Sequence, residues 1–378
     1  MKVPILKIPF DQGDAEQITE ELKEMLLEGR LAMGVKTQAF QEAFSAFCGT
    51  DYALSCTNGT AALEIILRAI GVEGGSVAVP ANTFLATALA AIAAGAKIVL
   101  VDNDSDHFQM CPQDLRKKIR PDTKAVILVH IGGFISPKWR EIQRIAAENG
   151  AALVEDAAHA HGAEVEGGIR AGNIGMAAGF SFFPTKVLTT AEGGMVTTSD
   201  QSLFNKMLAL RQHGQQKPGS NIHETFGLNY RPSEIHALLG LRMMAKAEWI
   251  LFERRKIAFI YDELLRDSKV KPVSAPAGHK PAYYKYMALL PQGVDRAEVK
   301  SRLREKYRIA LPGEVYAVAG HLQPLWANHP EYLASKIAPL PNAEMVSARQ
   351  VCLPIWPSLS EDDQNYVVNS LLEVIEEI

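Results

Sequence analysis

Lys186 lies between the aromatic run Phe180-Ser181-Phe182-Phe183 and the pair Gly193-Gly194, and its nearest cationic neighbours in the chain are Arg170 and Lys206. Most lysines are solvated surface charges. A lysine in apolar company is different, because desolvation favours the neutral amine, a nucleophile toward aldehydes and ketones. Asp156 stands thirty residues earlier, at the end of the apolar run Ala152-Leu153-Val154-Glu155. An acid there either meets a ligand or caps the next helix. A third element is Thr57-Asn58-Gly59-Thr60-Ala61, a polar turn that leads into an amphipathic run. Backbone N–H groups at such a helix start suit a phosphate; a plain N-cap by Asn58 or Thr57 is the simpler reading. His159 and His161 form an HxH pair, but no second pair or nearby cysteine at ligand spacing accompanies it. A hydrogen bond to a cofactor suits His159 better than a metal, and His161 can equally be a satisfied structural histidine.

These residues need a frame that brings three distant segments together. The spacing predicts helices over residues 14–28 and 38–47, then short apolar strands alternating with helices: 77–80, a helix from Thr83, 98–101, a helix from Pro112, 125–130, a helix from Trp139, and 152–155. Wholly apolar strands separated by helices predict a mostly parallel sheet buried on both faces, with ligands at the strand carboxyl ends. A further strand over 195–199 and a helix over 202–213 follow, and residues 215–230 read as a loop. One long helix over 232–267 then serves as connector. The expected class is α/β, with a large cofactor-binding domain over residues 1–245 and a smaller α+β domain, connector helix included, over 246–378.

Composition excludes several functions. The net charge is −4 with no basic run, so nucleic acid and anionic membrane are not expected partners. The four cysteines are scattered, as reduced thiols in a cytoplasmic protein would be. Met1 to Phe10 is too short and proline-punctuated for a signal segment, and the run from Ala86 to Ala96 is too short to span a bilayer.

A phosphate cradle at Gly59-Thr60-Ala61, a strand-end acid at Asp156 and a desolvated Lys186 together match the needs of pyridoxal 5'-phosphate. The amides would hold the phosphate, the acid would keep the pyridine nitrogen protonated, and the lysine would bond the cofactor carbonyl and later carry a proton. Phe84 could lie flat on the ring or be an ordinary core aromatic.

Thr57-Asn58-Gly59-Thr60-Ala61-Ala62-Leu63, Pro80-Ala81-Asn82-Thr83-Phe84, Glu155-Asp156-Ala157-Ala158-His159-Ala160-His161-Gly162, Ser181-Phe182-Phe183-Pro184-Thr185-Lys186, Glu192-Gly193-Gly194 and Gly227-Leu228-Asn229-Tyr230-Arg231-Pro232-Ser233-Glu234 resemble the motifs of the DegT/DnrJ/EryC1/StrS sugar aminotransferases. The resemblance implies the fold type I architecture and a pyridoxal-phosphate enzyme. It assigns Lys186 to the cofactor carbonyl, Asp156 to the pyridine nitrogen, Thr60, Ala61 and Ser181 to the phosphate, His159 to the ring hydroxyl and Phe84 to the ring face. It further implies a homodimer with shared sites, in which Asn229 reaches the neighbour's phosphate and Arg231 also acts in trans, and it places Tyr316 and His321 on the substrate side. A branch of that family with histidine in place of the lysine acts as a dehydratase; Lys186 is retained here. The expected reaction passes the amino group of L-glutamate or L-glutamine to a keto sugar, most often nucleotide-linked, by a ping-pong route. A cyclitol or aromatic-acid precursor is the alternative acceptor. A non-catalytic, cofactor-binding regulator is the rival from another class.

Overall fold

The computed structural model describes residues 2–215, 217 and 220–378. Two helices open the chain, α1 (Gln12–Glu28) and α2 (Val35–Cys48). The Asp11 carboxylate accepts from the Asp14 amide and the Asp14 carboxylate from the Asp11 amide, each at 2.9 Å, so α1 starts in a reciprocal capping box. Strand and helix then alternate: β1 (Tyr52–Cys56), α3 (Gly59–Ile70), β2 (Ser76–Pro80), α4 (Ala86–Ala93), β3 (Lys97–Val101), α5 (Pro112–Lys118), β4 (Thr123–Val129), α6 (Trp139–Glu148) and β5 (Ala152–Asp156). A two-strand hairpin, β6 (Glu164–Val165) and β7 (Ile169–Arg170), precedes β8 (Ala177–Ser181), β9 (Gly194–Thr198) and α7 (Gln201–Arg211).

The central sheet has seven strands in the order β1-β9-β8-β5-β4-β2-β3. Every adjacent pair is parallel except the two made by β9, which runs against β1 and β8. The apolar runs of the sequence follow from this layering. Along β4, Ala125, Ile127 and Val129 feed the core shared with α3, while Val126 and Leu128 feed the core shared with α2 and α6, so consecutive residues must all be apolar. The α/β class expected from the sequence is the class observed.

The single connector helix expected over 232–267 is instead two helices, α8 (Glu234–Ala245) and α9 (Ala247–Leu265). Lys246 leaves helical geometry with ψ near 0°, and its ammonium reaches the acids that start α1, Asp11 at 2.6 Å and Asp14. Apolar periodicity runs through the break because both helices cover the same core. The pull that ends α8 comes from residues more than two hundred positions away, which periodicity does not register. Glu234, the first residue of α8, accepts from the amides of Gly34, Lys36 and Thr37 and so caps α2.

Beyond α9 come β10 (Lys271–Pro272), β11 (Tyr286–Leu289), α10 (Arg296–Lys306), α11 (Pro324–Asn328), α12 (Pro341–Arg349), β12 (Gln350–Leu353) and α13 (Glu361–Glu377). The strands make an antiparallel sheet in the order β10-β11-β12, and α13 packs on α9 and α10. Two polar side chains of the large sheet tie this end of the chain down. Asp102 accepts from the amides of Asn342 and Ala343 at the start of α12, and Asn82 accepts from the Tyr316 amide at 3.1 Å.

Candidate active site

A cavity of about 430 Å³ opens at the carboxyl end of the parallel strands, the place such sheets offer a ligand. Asn58, Gly59, Thr60, Phe84, Asp156, His159, Ser181, Lys186 and Tyr316 all line it, although they come from segments spread over most of the chain. β9 accounts for part of the convergence. Gly194 pairs with Cys56 on one side and Ser181 on the other, which sets the start of α3 beside the end of β8. Space is tight there. A Cβ on Gly194 would lie 2.2 Å from the Asn58 carbonyl oxygen, and one on Gly59 would lie 2.7 Å from the Ser181 Cβ. Asn58 is the N-cap of α3, its side-chain oxygen accepting from the Ala61 amide at 2.9 Å. The Ala61 amide is thereby engaged, and Ala61 does not line the cavity. The amides of Gly59 and Thr60 at the helix start, with the Ser181 hydroxyl, remain for an anion.

Asp156 ends β5 and accepts from the Thr87 hydroxyl at 2.6 Å and the Ala158 amide at 3.2 Å. Thr83 lies 2.7 Å from Thr87. Because the Thr87 proton is committed to the carboxylate, Thr83 donates to Thr87, and a chain of hydroxyls orients the acid. His159 is buried. Its Nδ1 accepts from the Gly132 amide at 3.3 Å and its Nε2 lies 3.2 Å from the Tyr316 hydroxyl. Burial, helped by the charges of Lys186 and Lys285, drives its pKa well below the usual value. The ring is therefore neutral with its proton on Nε2, where it donates to Tyr316. Burial also holds the Tyr316 hydroxyl well above its ordinary range, so that group keeps its proton.

The Lys186 ammonium sits 4.7 Å from the centre of the Tyr284 ring. Burial, with a smaller contribution from Lys285, lowers its pKa to about 8 against the opposing pull of Asp156. A large fraction of the amine is thus neutral near pH 8, as the nucleophile needs. The Phe84 ring is open to the cavity and lies 5.7 Å from Tyr316. His161 is fully buried among Phe44, Phe180 and Phe182, and burial lowers its pKa to about 3. It is a neutral core residue. No group of three potential metal ligands exists among the described residues.

Besides Ala61, three expected site residues lie away from the cavity. Asn229 is exposed and bridges to Gln212 through the backbone. Arg231 is half-buried nearby. His321 faces Glu344 at 3.2 Å and is not part of the cavity wall. Tyr284 and the Thr83–Thr87 pair were not singled out from the sequence. Tyr284 stacks on His159 at 4.1 Å and meets the Thr185 hydroxyl at 3.1 Å. The pair of threonines one helical turn apart beside Phe84 was the available signal for the second.

The donor set fits pyridoxal phosphate. The close approach of Gly59 to Ser181 leaves main-chain donors of the kind a phosphate needs, Asp156 brings a carboxylate to the cavity wall, and Lys186 offers an amine. Residues 12–372 match the model of the DegT/DnrJ/EryC1/StrS aminotransferase family. The chain is 32% identical to the spore coat polysaccharide biosynthesis protein SpsC of Bacillus subtilis, covering 94% of each. It is 30% identical to the GDP-perosamine synthase of Escherichia coli O157:H7, covering 98% of each. The solved structure of DesV from S. venezuelae, in complex with a ketimine intermediate, superposes with a TM-score of 0.89 at 30% identity, over 100% of this chain and 99% of that one. This chain belongs to the DegT/DnrJ/EryC1/StrS aminotransferase family and is a transaminase that works through pyridoxal 5'-phosphate.

Proposed function

We propose that the protein moves the amino group of L-glutamate, or L-glutamine, to the keto group of a nucleotide-linked deoxyhexose, in the making of a surface polysaccharide or a glycosylated metabolite. The observation that carries this reading is the meeting of Lys186, Asp156, His159, Ser181 and the start of α3 around one cavity. A nucleotide-linked sugar is supported by the relative named a GDP-perosamine synthase, and a polysaccharide by the relative named for spore coat polysaccharide biosynthesis.

Bound pyridoxal phosphate supplies an electron sink for the Cα–H bond of the amino donor. Asp156, held by Thr87 and the Ala158 amide, keeps the proton on the pyridine nitrogen. Gly59, Thr60 and Ser181 would hold the phosphate, and Phe84, open to the same cavity, would cover the ring. His159, whose Nε2 proton is held by Tyr316 in this structure, would turn that donor to the ring hydroxyl of the bound cofactor. The Lys186 amine, the nucleophile toward the cofactor carbonyl, would also take the proton from the substrate Cα. Tyr316 offers the acceptor sugar a protonated hydroxyl.

Asn229 and Arg231 enter the reading as residues given to a neighbouring copy, supported by the exposure of Asn229 and the distance of both from this chain's own cavity. A homodimer of shared sites goes with it, as does a division at residue 245 into cofactor-binding and C-terminal parts. No helix among the described residues is long and apolar enough to cross a membrane, and the cytoplasm is the proposed compartment.

The test is the absorption spectrum of the protein with pyridoxal phosphate before and after L-glutamate or L-glutamine, followed by nucleotide keto sugars. Loss of the protein-bound band on adding the donor, and its return with a keto sugar alone, is the expected result. A band indifferent to both donors overturns the reading.

A further inference from the structure

Lys285, immediately before β11, has no place in the chemistry described so far. Its ammonium lies 5.1 Å from the centre of the Tyr284 ring, the same ring that Lys186 approaches to 4.7 Å. The two nitrogens are therefore within roughly 10 Å of each other, about one Debye length at 0.1 M salt. Tyr284 is itself held, stacked on His159 and bonded to Thr185, the residue before Lys186. The backbone amide of Lys285 donates to the Gly132 carbonyl at 3.1 Å, but its ammonium makes no hydrogen bond or ion pair among the described residues, although protein surrounds most of the side chain. An ammonium placed in that way costs stability, and such groups gather where they tune chemistry.

We propose that Lys285 is a positioning residue of the transamination site: fixed on the Tyr284 ring beside Lys186, its positive charge disfavours a second positive charge on the Lys186 amine. The inference rests on the reading of Lys186 as the cofactor lysine. Asp156 on β5 pulls Lys186 toward the charged form, and His159 and His161 are neutral beside it. On the other side Lys285 faces Cys352 of β12, Arg254 of α9, Lys300 of α10, and Glu314. Glu314 is already shared between Arg296 and Lys300, so it does not neutralise Lys285. Burial is the largest influence on both lysines and acts in the same direction on each. Lys285 supplies the part of the lowering on Lys186 that depends on charge, against the opposite pull of Asp156.

The experiment is trace acetylation of the cofactor-free protein with acetic anhydride across a pH series, the label on Lys186 being read by mass spectrometry against a free lysine peptide. In Lys285→Met and Lys285→Gln the labelling midpoint of Lys186 moves upward by roughly half to one pH unit, as loss of a like charge at this range predicts. In Lys285→Arg it stays with the unaltered protein. Circular dichroism confirms that the variants are folded, and the Met and Gln forms check one another. An unchanged midpoint in the folded Met or Gln variant overturns the proposal, as does an equal shift in Lys285→Arg, which would make packing the cause. Labelling of the cofactor-free protein reads the Lys186 amine whether or not Lys186 is the residue that bonds the cofactor. Borohydride trapping of the cofactor in Lys186→Ala tests that separate reading, so the two fail independently.

Discussion

Glu155 and Asp156 are consecutive acids on β5, and they face opposite sides of the sheet with opposite degrees of satisfaction. Glu155 is fully buried and accepts from His130 Nε2 at 2.8 Å and from the amides of Gly172, Ile174 and Gly175 at 2.8–2.9 Å. Burial pushes its pKa up, and His130 with the amides outweighs that and brings it below the ordinary value. Asp156 has one hydroxyl and one amide at longer remove, and borders the cavity. The difference teaches that in this protein the carboxylate whose acceptors are used up holds the fold, and the one with capacity left borders the cavity, where the proposed reaction needs it.

The comparison can be pressed from both sides, beginning beside it. Lys186→Ala should reduce transamination by about 10³-fold or more, since it removes both nucleophile and proton carrier, while the thermal midpoint holds; single-turnover assay with L-glutamate reads it. Asp156→Asn should cost about 10²–10⁴-fold in turnover, the range of a positioned acid–base group, again with little change in unfolding. Glu155→Gln should do the reverse. Leaving His130 and three amides with a weaker acceptor should cost about 2–4 kcal/mol in urea unfolding, while the folded fraction keeps turnover within about tenfold. If Glu155→Gln instead spared stability and abolished turnover, the contrast between the two acids would collapse.

The same pair sharpens in acid. A carboxylate with a lowered folded-state pKa contributes stability above its unfolded pKa and loses it as pH falls through the folded value. For Glu155 the loss begins below its ordinary value of 4.5, and Glu155→Gln should flatten that part of the stability–pH curve. The smallest effect expected is that of Thr87→Val, which removes the hydroxyl that orients Asp156. It should cost about 1 kcal/mol of barrier, near fivefold in rate.

Much of the site could be read along the chain, because its residues announce themselves by local context. Lys186 stands alone among aromatics, Asp156 closes an apolar strand, and Gly59 opens a helix. The structure brings these together with Phe84, His159 and Ser181. Tyr284 was illegible for the opposite reason. Its importance arises from stacking on His159, a contact between residues 125 positions apart, and nothing beside it in sequence marks it. Glu155 looked like any strand-end acid, since four donors from distant loops are invisible in one dimension. His321 was expected at the cavity and faces Glu344 instead. The helix break at Lys246 was hidden because its cause lies on α1.

Gly194 pairs with Cys56 and Ser181 at once and leaves no room for a side chain against the Asn58 carbonyl. An anchor assembled from peptide groups around such a residue is insulated from most substitutions, because swapping a side chain does not delete an amide. Its vulnerability is concentrated in a few positions where any added methyl would be felt. The opposite wall, made of side chains such as Tyr284 and Tyr316, carries no such protection, and can be rebuilt for another acceptor while the grip on the cofactor stays as it is.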